Sequence, residues 1–268
     1  MRVKPMLMLL IILILSAVLI FIVYSRSGGE TWISAPTGTP PTEETATPEP
    51  TVEPTVEPTP TPDPTPEPTP TRDPDLPDID ISEWQYRLVN TEVPLEREYE
   101  PEVTALEGNQ SFDARAAQSL QDFVDDARAA GNSVIVTSSY RPYVTQEYLF
   151  NNKVNEHRNM GKTEETAIAD ASRIVARPGT SEHQLALAAD IVDRYYDYLT
   201  VDFANTQLAQ WMKSRCKDYG FILRYPEDKQ DITKIMFEPW HFRYVGVEAA
   251  TYIMEHGLCL EEFVALYE

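Results

Sequence analysis

The distribution of hydrophobic residues divides the chain into three parts. Residues 6–24 form an uninterrupted apolar run, whereas residues 27–80 contain few aliphatic side chains. From residue 81 onward, apolar and polar positions alternate with the periods expected of helices and strands. We therefore expect a folded domain at 81–268, which is long enough to build its own hydrophobic core.

Periodicity within this third part predicts both helices and strands. Apolar positions between Phe112 and Ala130 recur at helical spacing, and Gly131 marks the end of that helix. Thr163 is placed to cap a further helix with two glutamates in its first turn. The elements interleave without a regular strand–helix–strand repeat, which indicates an α+β fold with a small, mainly antiparallel sheet and packed helices. The predicted helices are 112–130, 144–156, 163–176, 204–217, 247–256 and 260–267, and the predicted strands are 134–139, 185–192, 221–225, 234–238 and 241–245.

The apolar run at 6–24 predicts a membrane anchor. Its length is close to the roughly 20 residues that a helix needs to cross about 30 Å of hydrocarbon. No small-residue cleavage site follows it, so an uncleaved transmembrane helix is favoured over a signal peptide. Arg2 and Lys4 precede the run and only Arg26 follows closely, which predicts a cytoplasmic N-terminus and an extracytoplasmic domain. Residues 1–26 are thus expected to form the cytoplasmic tip and transmembrane anchor of a single-pass protein of the cell membrane.

Residues 27–80 are rich in Pro, Thr and Glu. Such a segment buries too little apolar surface to offset the entropy of ordering, so a disordered linker is expected. At about 3.1 Å per residue, its proline-dense part would extend on the order of 100 Å from the membrane. A tether of no particular length is the simpler interpretation.

The net charge limits the classes of partner, and the cysteine content bears on whether a disulfide forms. The formal net charge of −21 argues against nucleic acid as a partner, because nucleic-acid binding requires a basic surface. Cys216 and Cys259 could pair in an oxidising compartment, but two cysteines are too few for a disulfide framework, and buried free thiols are favoured.

Two short segments carry the candidate chemistry. The first contains His183 and Asp190, and the second, about fifty residues later, contains Glu238 and His241. Zinc in hydrolytic sites typically takes three protein ligands of the His and carboxylate type, while a separate carboxylate handles the proton. His183, Asp190 and His241 are therefore the candidate zinc ligands, and Glu238 is the candidate general base.

Spacing within each segment predicts loops and strands rather than helices. Residues seven apart on one helix are separated by about 10 Å of rise, too far to share one ion, so His183 is expected in a turn and Asp190 on the strand that follows. Pro239 drives the preceding Glu238 into an extended conformation, which argues against a helical Glu-x-x-His arrangement. Glu238 and His241 are therefore expected at the rim of a strand.

These segments resemble the signature of a known family. Ser181-x-His183-x6-Asp190, followed by Glu238-Pro-Trp-His241-x-Arg-Tyr, is similar to VanY-type D-alanyl-D-alanine carboxypeptidases, zinc peptidases that trim the stem peptide of bacterial peptidoglycan. The resemblance covers roughly residues 80–268. It includes the segment 138–146, which is similar to the family's substrate-binding segment, and the segment 219–226, which leads toward the second motif.

One position departs from the family pattern. The family usually has glycine at position 186, where this chain has alanine. Alanine is the smallest side chain after glycine, so we expect the change to be tolerated unless the backbone at that position requires a positive φ.

The resemblance implies metal-assisted hydrolysis of the bond before the terminal D-alanine. Glu238 would take the proton of the attacking water and pass it to the departing amine. Arg141 is the candidate cation for the oxyanion or for the substrate's terminal carboxylate, because a guanidinium binds planar oxyanions in a bidentate manner. The other candidate substrate-binding residues are Ser181, Gln146, Tyr140 and Trp240.

The sequence leaves alternative functions open, and it contains further polar residues outside the two motifs. The same kind of site could serve an L,D-carboxypeptidase or a wall endopeptidase, and a non-catalytic wall-binding module would keep the fold without the chemistry. His157 and His256 lack carboxylate partners in sequence and are expected to face solvent or to interact with a helix dipole. Asp193 and Asp197 are expected in loops. The sequence leaves the oligomeric state undecided.

Overall fold

The computed structural model describes residues 73–196 and 198–268. The predicted anchor and most of the predicted linker lie outside these residues. Within the described part, no helix has the length and the apolar composition to span a membrane. Residues 73–80, the end of the predicted linker, pack against the domain. Leu76 is buried there, and Asp73 accepts a hydrogen bond of 2.9 Å from the Tyr252 hydroxyl.

Two antiparallel sheets form the β part of the domain. A hairpin of β1 and β2 precedes a four-stranded sheet with the order β3-β4-β6-β5, and every ladder is antiparallel. The predicted mainly antiparallel sheet is thereby confirmed. The strands are β1 Val103–Ala105, β2 Ser111–Asp113, β3 Val134–Ser138, β4 Ala188–Asp193, β5 Phe221–Leu223 and β6 His241–Tyr244.

Helices follow or separate these strands, which confirms the α+β class. Thr163 caps its helix as predicted, since its side chain accepts from the backbone N–H of Thr166. The helices are α1 Ala117–Ala129, α2 Tyr143–Asn159, α3 Glu164–Ser172, α4 Gln207–Arg215, α5 Gln230–Thr233, α6 Val247–His256 and α7 Leu260–Ala265.

The first helix begins later than predicted. Phe112 and Asp113 belong to β2, where Asp113 pairs with Val103, so the prediction of a helix from Phe112 was wrong at its start. Asp113 Oδ1 accepts the backbone N–H of Arg115 at 2.9 Å and turns the chain before α1. Helical periodicity did not reveal this hairpin, because the pairing depends on a second segment outside the pattern.

The predicted strand at 234–238 is absent from the described residues. The chain leaves α5 at Lys234, which has a left-handed φ of 63°, and continues as a loop. Met236 N donates to Arg173 O at 2.9 Å, and Glu238 N donates to Tyr225 O at 3.1 Å. Apolar residues at this position line a cavity instead of facing a sheet.

Two further boundaries differ from the predictions. The helix expected at 163–176 ends at Ser172, and the residues after it form a cavity wall. The strand expected at 185–192 begins at Ala188, because the preceding residues form a short 3-10 turn that Ala186 ends in a left-handed conformation.

The two faces of the four-stranded sheet pack against different parts of the domain, because side chains alternate along each strand. Phe221 and Phe242 pack with Phe123 of α1, at ring-centroid distances of 5.5 and 5.6 Å. Ile222, one residue along β5, points to the other face and joins the cluster formed with α6 and α7. Because successive side chains of a strand alternate in direction, the residues next to the core phenylalanines must face the opposite side, where the polar site lies.

Both cysteines are buried free thiols in the structure. Cys216 belongs to the main hydrophobic cluster, and Cys259 precedes α7. Burial raises the pKa of each thiol to about 12. Neither thiol is therefore a ready nucleophile.

Candidate metal centre

Asp190 and His241 are directly opposite each other on the two central strands. The ladder between β4 and β6 pairs Asp190 with His241 and Ala189 with Phe242. Ala189 and Phe242 face the core, so Asp190 and His241 share the other face. Asp190 Oδ1 lies 3.0 Å from His241 Nδ1 as a result.

His183 reaches the same point from the turn before β4. Its Nδ1 lies 2.7 Å from the carbonyl oxygen of Ser139. A carbonyl can only accept, so Nδ1 carries the proton and Nε2 keeps its lone pair. Nε2 lies 3.2 Å from Asp190 Oδ2, and one ligand atom from each of His183, Asp190 and His241 falls within 4.8 Å of the others.

The turn that carries His183 ends in an unusual backbone conformation. Ala186 has φ 58° and ψ 25°, the left-handed region in which glycine is favoured. Alanine was expected to be tolerated here only if the backbone did not require a positive φ. The structure shows that φ is positive. Ala186 is fully buried, so its methyl group offsets part of the strain by packing.

These three side chains fit zinc by their chemistry. Two imidazoles and one carboxylate, all buried, form a common protein ligand set for a catalytic zinc ion. The tautomer that Ser139 imposes on His183 is the one that metal coordination needs, because the free lone pair points toward the other two ligands. His183 Nε2, an Asp190 oxygen and His241 Nδ1 would hold the ion.

Glu238 stands beside the ligand set without belonging to it. The turn through Pro239 places Glu238 Oε2 3.6 Å from His241 Nδ1, and the helical alternative is excluded because His241 begins β6. Burial raises the pKa of Glu238 to about 8, and the negative charge of Asp190 acts in the same direction. A divalent cation in the centre would favour the ionised form.

Neighbouring charges and burial shift the pKa values of Asp190 and His183. Burial alone would raise the pKa of Asp190, but the contacts with His183 and His241 hold it well below its usual range. Burial and the charge of Arg141 lower the pKa of His183, which keeps it neutral and able to coordinate a metal.

Sequence reasoning missed Glu182, which forms a second layer behind His241. Its side chain is fully buried, and its Oε1 accepts from Arg224 Nε and from Arg243 Nη1, both at 2.7 Å. Its Oε2 lies 3.6 Å from His241 Nε2. The only sequence signal was adjacency to His183, because the two arginines are 42 and 61 residues away along the chain.

Arg141 lines the cavity beside the ligands. Its Nη2 lies 3.6 Å from Asp190 Oδ2 and donates to Ser138 Oγ at 2.6 Å. Its Nη1 donates to Gln146 Oε1 at 2.7 Å, while Gln146 Nε2 donates to the Ala176 carbonyl. Gln146 therefore positions Arg141, and its predicted contact with the peptide backbone of a substrate stays a prediction.

The other predicted substrate-binding residues divide into two groups. Ser181 and Trp240 are buried and line the cavity. Tyr140 is not among the described residues that line it. Sequence reasoning did not select Tyr225, a buried cavity residue whose ring centroid is 4.8 Å from that of His241.

The remaining polar candidates lie away from the ligands. His157 is buried, with Nδ1 3.0 Å from Lys162 Nζ, so it does not face solvent. It lies in the last turn of α2, which agrees with the alternative prediction of an interaction with the helix dipole. His256 stacks on Tyr252 in the last turn of α6. Asp193 ends β4 rather than lying in a loop, and Asp197 lies outside the described residues.

A cavity of about 440 Å³ opens onto the metal centre. The antiparallel sheet, the buried His/Asp/His ligand set and the adjacent glutamate together define a metal-dependent hydrolase. A family model described as VanY, D-alanyl-D-alanine carboxypeptidase, matches residues 109–247. The chain belongs to this family.

Individual relatives agree with this assignment. The chain is 42% identical over 185 residues to a D-alanyl-D-alanine carboxypeptidase of Enterococcus faecalis, an alignment that covers 69% of this chain and 67% of the relative. It is 42% identical to a vancomycin resistance D,D-pentapeptidase VanY variant solved with Zn(II), with a TM-score of 0.62 and coverage of 68% of this chain and 99% of that chain.

Two further solved structures bear on the substrate. VanYB in complex with D-alanine-D-alanine is 42% identical, with a TM-score of 0.64 and coverage of 69% of this chain and 100% of that chain. The L,D-carboxypeptidase LdcB is 35% identical, with a TM-score of 0.57 and coverage of 66% of this chain and 84% of that chain.

Proposed function

We propose that this protein is a zinc-dependent D,D-carboxypeptidase that removes the terminal D-alanine from peptidoglycan stem peptides. The observation that carries the proposal is the buried set His183, Asp190 and His241, with Glu238 beside it at 3.6 Å. Similarity to carboxypeptidases that act on D-alanyl-D-alanine supports the substrate.

Each residue has a distinct role in this proposal. Bound zinc would lower the pKa of a water and polarise the scissile carbonyl. Glu238 accepts a proton from that water and returns it to the amine of the departing D-alanine. Burial raises the pKa of Glu238 to about 8, and a raised pKa supports the role of a group that must both take and release a proton.

Arg141 binds the substrate's negative charge. Two of its N–H groups are committed to Ser138 and Gln146, and a guanidinium has five, so donors remain for a carboxylate. We assign Arg141 to the terminal carboxylate. Ser181 and Trp240 line the cavity around it.

Metal content and ligand variants test the centre. The purified protein should contain about one zinc, and His183→Ala or His241→Ala should lose both zinc and activity, because each removes one of three protein ligands. His256→Ala is the matched control, since that histidine stacks on Tyr252 away from the cavity. A metal-free protein that still hydrolyses peptide would contradict the assignment.

Product analysis tests the bond that is cut. Mass spectrometry of synthetic stem peptides should show loss of one D-alanine from the pentapeptide and no loss from the tetrapeptide. D-alanine release from the tetrapeptide alone would identify an L,D-carboxypeptidase instead, and internal fragments would identify an endopeptidase.

We also propose that residues 6–24 anchor the protein in the cell membrane with the catalytic domain outside. The uncharged apolar run and the basic residues before it support this topology. Protease added to intact cells should cut within the Pro-, Thr- and Glu-rich linker and release an active fragment. A mature N-terminus just beyond Tyr24 in the medium would show a cleaved signal peptide.

A further inference from the structure

Residues 73–99 cross the domain ahead of the segment that the family model matches. This segment, called the strap below, contains one 3-10 turn, Trp84–Tyr86, and no α-helix or strand between its two ends. Connections of such length without secondary structure are uncommon in compact domains and are usually functional or linker segments. The strap is part of the folded domain, because Leu76 is buried in the cluster with α6 and α7 and Leu95 is buried in the main core.

One contact of the strap lies at the start of the turn that carries His183. Leu95 N donates to Gly179 O at 2.7 Å. The two backbones approach so closely that a Cβ at Gly179 would lie 2.9 Å from Leu95 O. Gly179 also has a φ of 83°, so both the close approach and the backbone conformation require glycine. The strap thus holds the chain four residues before His183.

A second contact is made by Gln184, the residue that follows His183. The side chain of Gln184 is 1% exposed, and its Nε2 lies 2.9 Å from Glu96 O and 3.4 Å from Tyr99 O. Carbonyl oxygens only accept hydrogen bonds, so the amide nitrogen faces the strap and donates to it. A buried donor without an acceptor is costly, which ties the Gln184 side chain to these carbonyls. The strap therefore holds the chain on both sides of His183.

The position of His183 depends on this turn. Ser139 O fixes the proton on His183 Nδ1, while the backbone of the turn determines how far Nε2 reaches toward Asp190. Zinc–nitrogen bonds have lengths of about 2.0–2.1 Å, so a small displacement of the turn would weaken coordination. Groups that orient a metal ligand typically contribute 10- to 100-fold to metal affinity.

The strap also reaches the second candidate histidine ligand through Arg243. This arginine is fully buried, and its Nη2 donates to Gln85 O at 3.0 Å and to Arg87 O at 2.9 Å. Its Nη1 donates to Glu182 Oε1, and the other oxygen of Glu182 lies 3.6 Å from His241 Nε2. Carbonyl groups of the strap thereby satisfy a guanidinium that holds Glu182 behind His241.

We propose that the strap positions the metal centre, with Gln184 as the positioning residue that couples it to His183. The inference rests on the zinc centre of the proposed function and extends it to residues outside the segment that the family model matches. The strap acts through backbone groups that hold the turn of His183 and the Arg243 side chain, and it supplies no ligand itself. Loss of these contacts should lower the affinity for zinc.

The first test is the variant Gln184→Met. Methionine keeps the length of the side chain and removes the amide donor. The zinc affinity of the full-length variant, measured by competition with a chelator, should fall by about 10-fold relative to the full-length wild type. A purely structural role would lower the midpoint of urea unfolding and leave zinc affinity within about twofold of wild type, and that result would overturn the proposal.

A pair of alanine variants tests the other contact and does not depend on the folding of Gln184→Met. Gly179→Ala and Gly161→Ala both place a side chain at a positive φ, 83° and 86°, so both introduce similar backbone strain. Only Gly179→Ala brings a methyl group against Leu95 O, because a Cβ at Gly161 meets no atom of the described residues within 4 Å. Zinc affinity should fall in Gly179→Ala and stay at the wild-type value in Gly161→Ala.

Equal zinc affinities in the two alanine variants would overturn the role of the strap. The outcome for the wild type separates this inference from the proposed function. A wild-type protein that binds no zinc would refute the proposed function, whereas a zinc-binding wild type with unchanged affinity in Gln184→Met would refute only the positioning role.

Discussion

Glu182 Oε2 lies 3.6 Å from His241 Nε2, on the side of the imidazole that faces away from Asp190. Each of these two atoms is buried and has no other hydrogen-bond partner among the described residues. They can satisfy each other with a small shift, the nitrogen donating and the carboxylate accepting. Nδ1 lies 3.0 Å from the Asp190 carboxylate, which can only accept, so Nδ1 donates there in this structure. With a proton held on Nε2 by Glu182, Nδ1 is the nitrogen that would give up its proton to coordinate a metal.

Glu182→Gln should place the single proton of a neutral His241 on Nδ1. The amide oxygen would stay with Arg224 and Arg243, so the amide NH2 would face His241 Nε2 and require an acceptor there. Nε2 would then lose its proton, and Nδ1 would keep the proton that it donates to Asp190, which would block coordination. Zinc affinity, measured by competition with a chelator, should fall by roughly 10- to 100-fold.

Glu261→Gln is the matched control for this prediction. Glu261 accepts two hydrogen bonds from Arg224, at 2.7 and 2.8 Å, and has no contact with His241. Its loss should weaken the same arginine network and leave zinc affinity near that of the wild type. Equal losses of zinc affinity in both variants would show that Glu182 acts only through the stability of the network.

Glu238→Gln should separate catalysis from metal binding. The variant keeps the shape of the side chain but cannot accept a proton, so the rate should fall by roughly 10²-fold or more while zinc content and fold are retained. Asp190→Asn should behave differently and bind zinc more weakly, because a neutral amide is a poorer ligand. Near wild-type turnover in Glu238→Gln would rule out Glu238 as the general base.

Ala186→Gly and Ala188→Gly should change the free energy of unfolding by different amounts. The difference is the free energy of the backbone strain at Ala186. Both alanines are fully buried, so each substitution removes a buried methyl group that contributes about 0.8 kcal/mol. Glycine also raises the conformational entropy of the unfolded chain, which destabilises the folded protein by about 0.4–1 kcal/mol. Only Ala186→Gly also relieves a left-handed backbone, worth about 1–2 kcal/mol. Ala188→Gly should thus destabilise by about 1.5 kcal/mol and Ala186→Gly by close to zero in urea denaturation. Equal effects would mean that Ala186 is unstrained.

Acid should destabilise the domain partly through Glu261. Burial opposes ionisation of this carboxyl, but Arg224 lowers its pKa below the ordinary value. A lowered folded-state pKa contributes stability above the unfolded value, near pH 4.3, and that contribution is lost as pH falls toward the folded value. The free energy of unfolding should therefore decline below about pH 4.3, and the decline should be shallower in Glu261→Gln by at most about 1.4 kcal/mol per pH unit. Parallel profiles for the two proteins would contradict this role.

Local patterns in the sequence were enough to predict several features. The apolar positions from Ala117 to Ala127 are buried on one face of α1, and Thr163 caps α3, because helical spacing and capping depend on residues a few positions apart. The two motifs also predicted which residues would meet. His183 and Asp190 are joined by one turn and strand, and the chemistry of zinc ligands indicated His241 as the third member.

Strand pairing and the backbone conformation of turns were decided by the tertiary structure. Phe112 joined a strand instead of a helix because β1 was available to pair with it. The left-handed backbone of Ala186 belongs to the turn that carries His183, and only the glycine usual at this position in the family had indicated a positive φ there.

The residues behind the metal ligands show most clearly what the sequence alone did not predict. The sequence by itself indicated the ligand types and the family and predicted Glu238 as the general base, since all of these rest on short contiguous motifs. Only the folded sheet brought Arg224 and Arg243 to Glu182, and through it to His241. A buried carboxylate is stable only with such partners, and strand register, a property of the whole sheet, determines which residues they are.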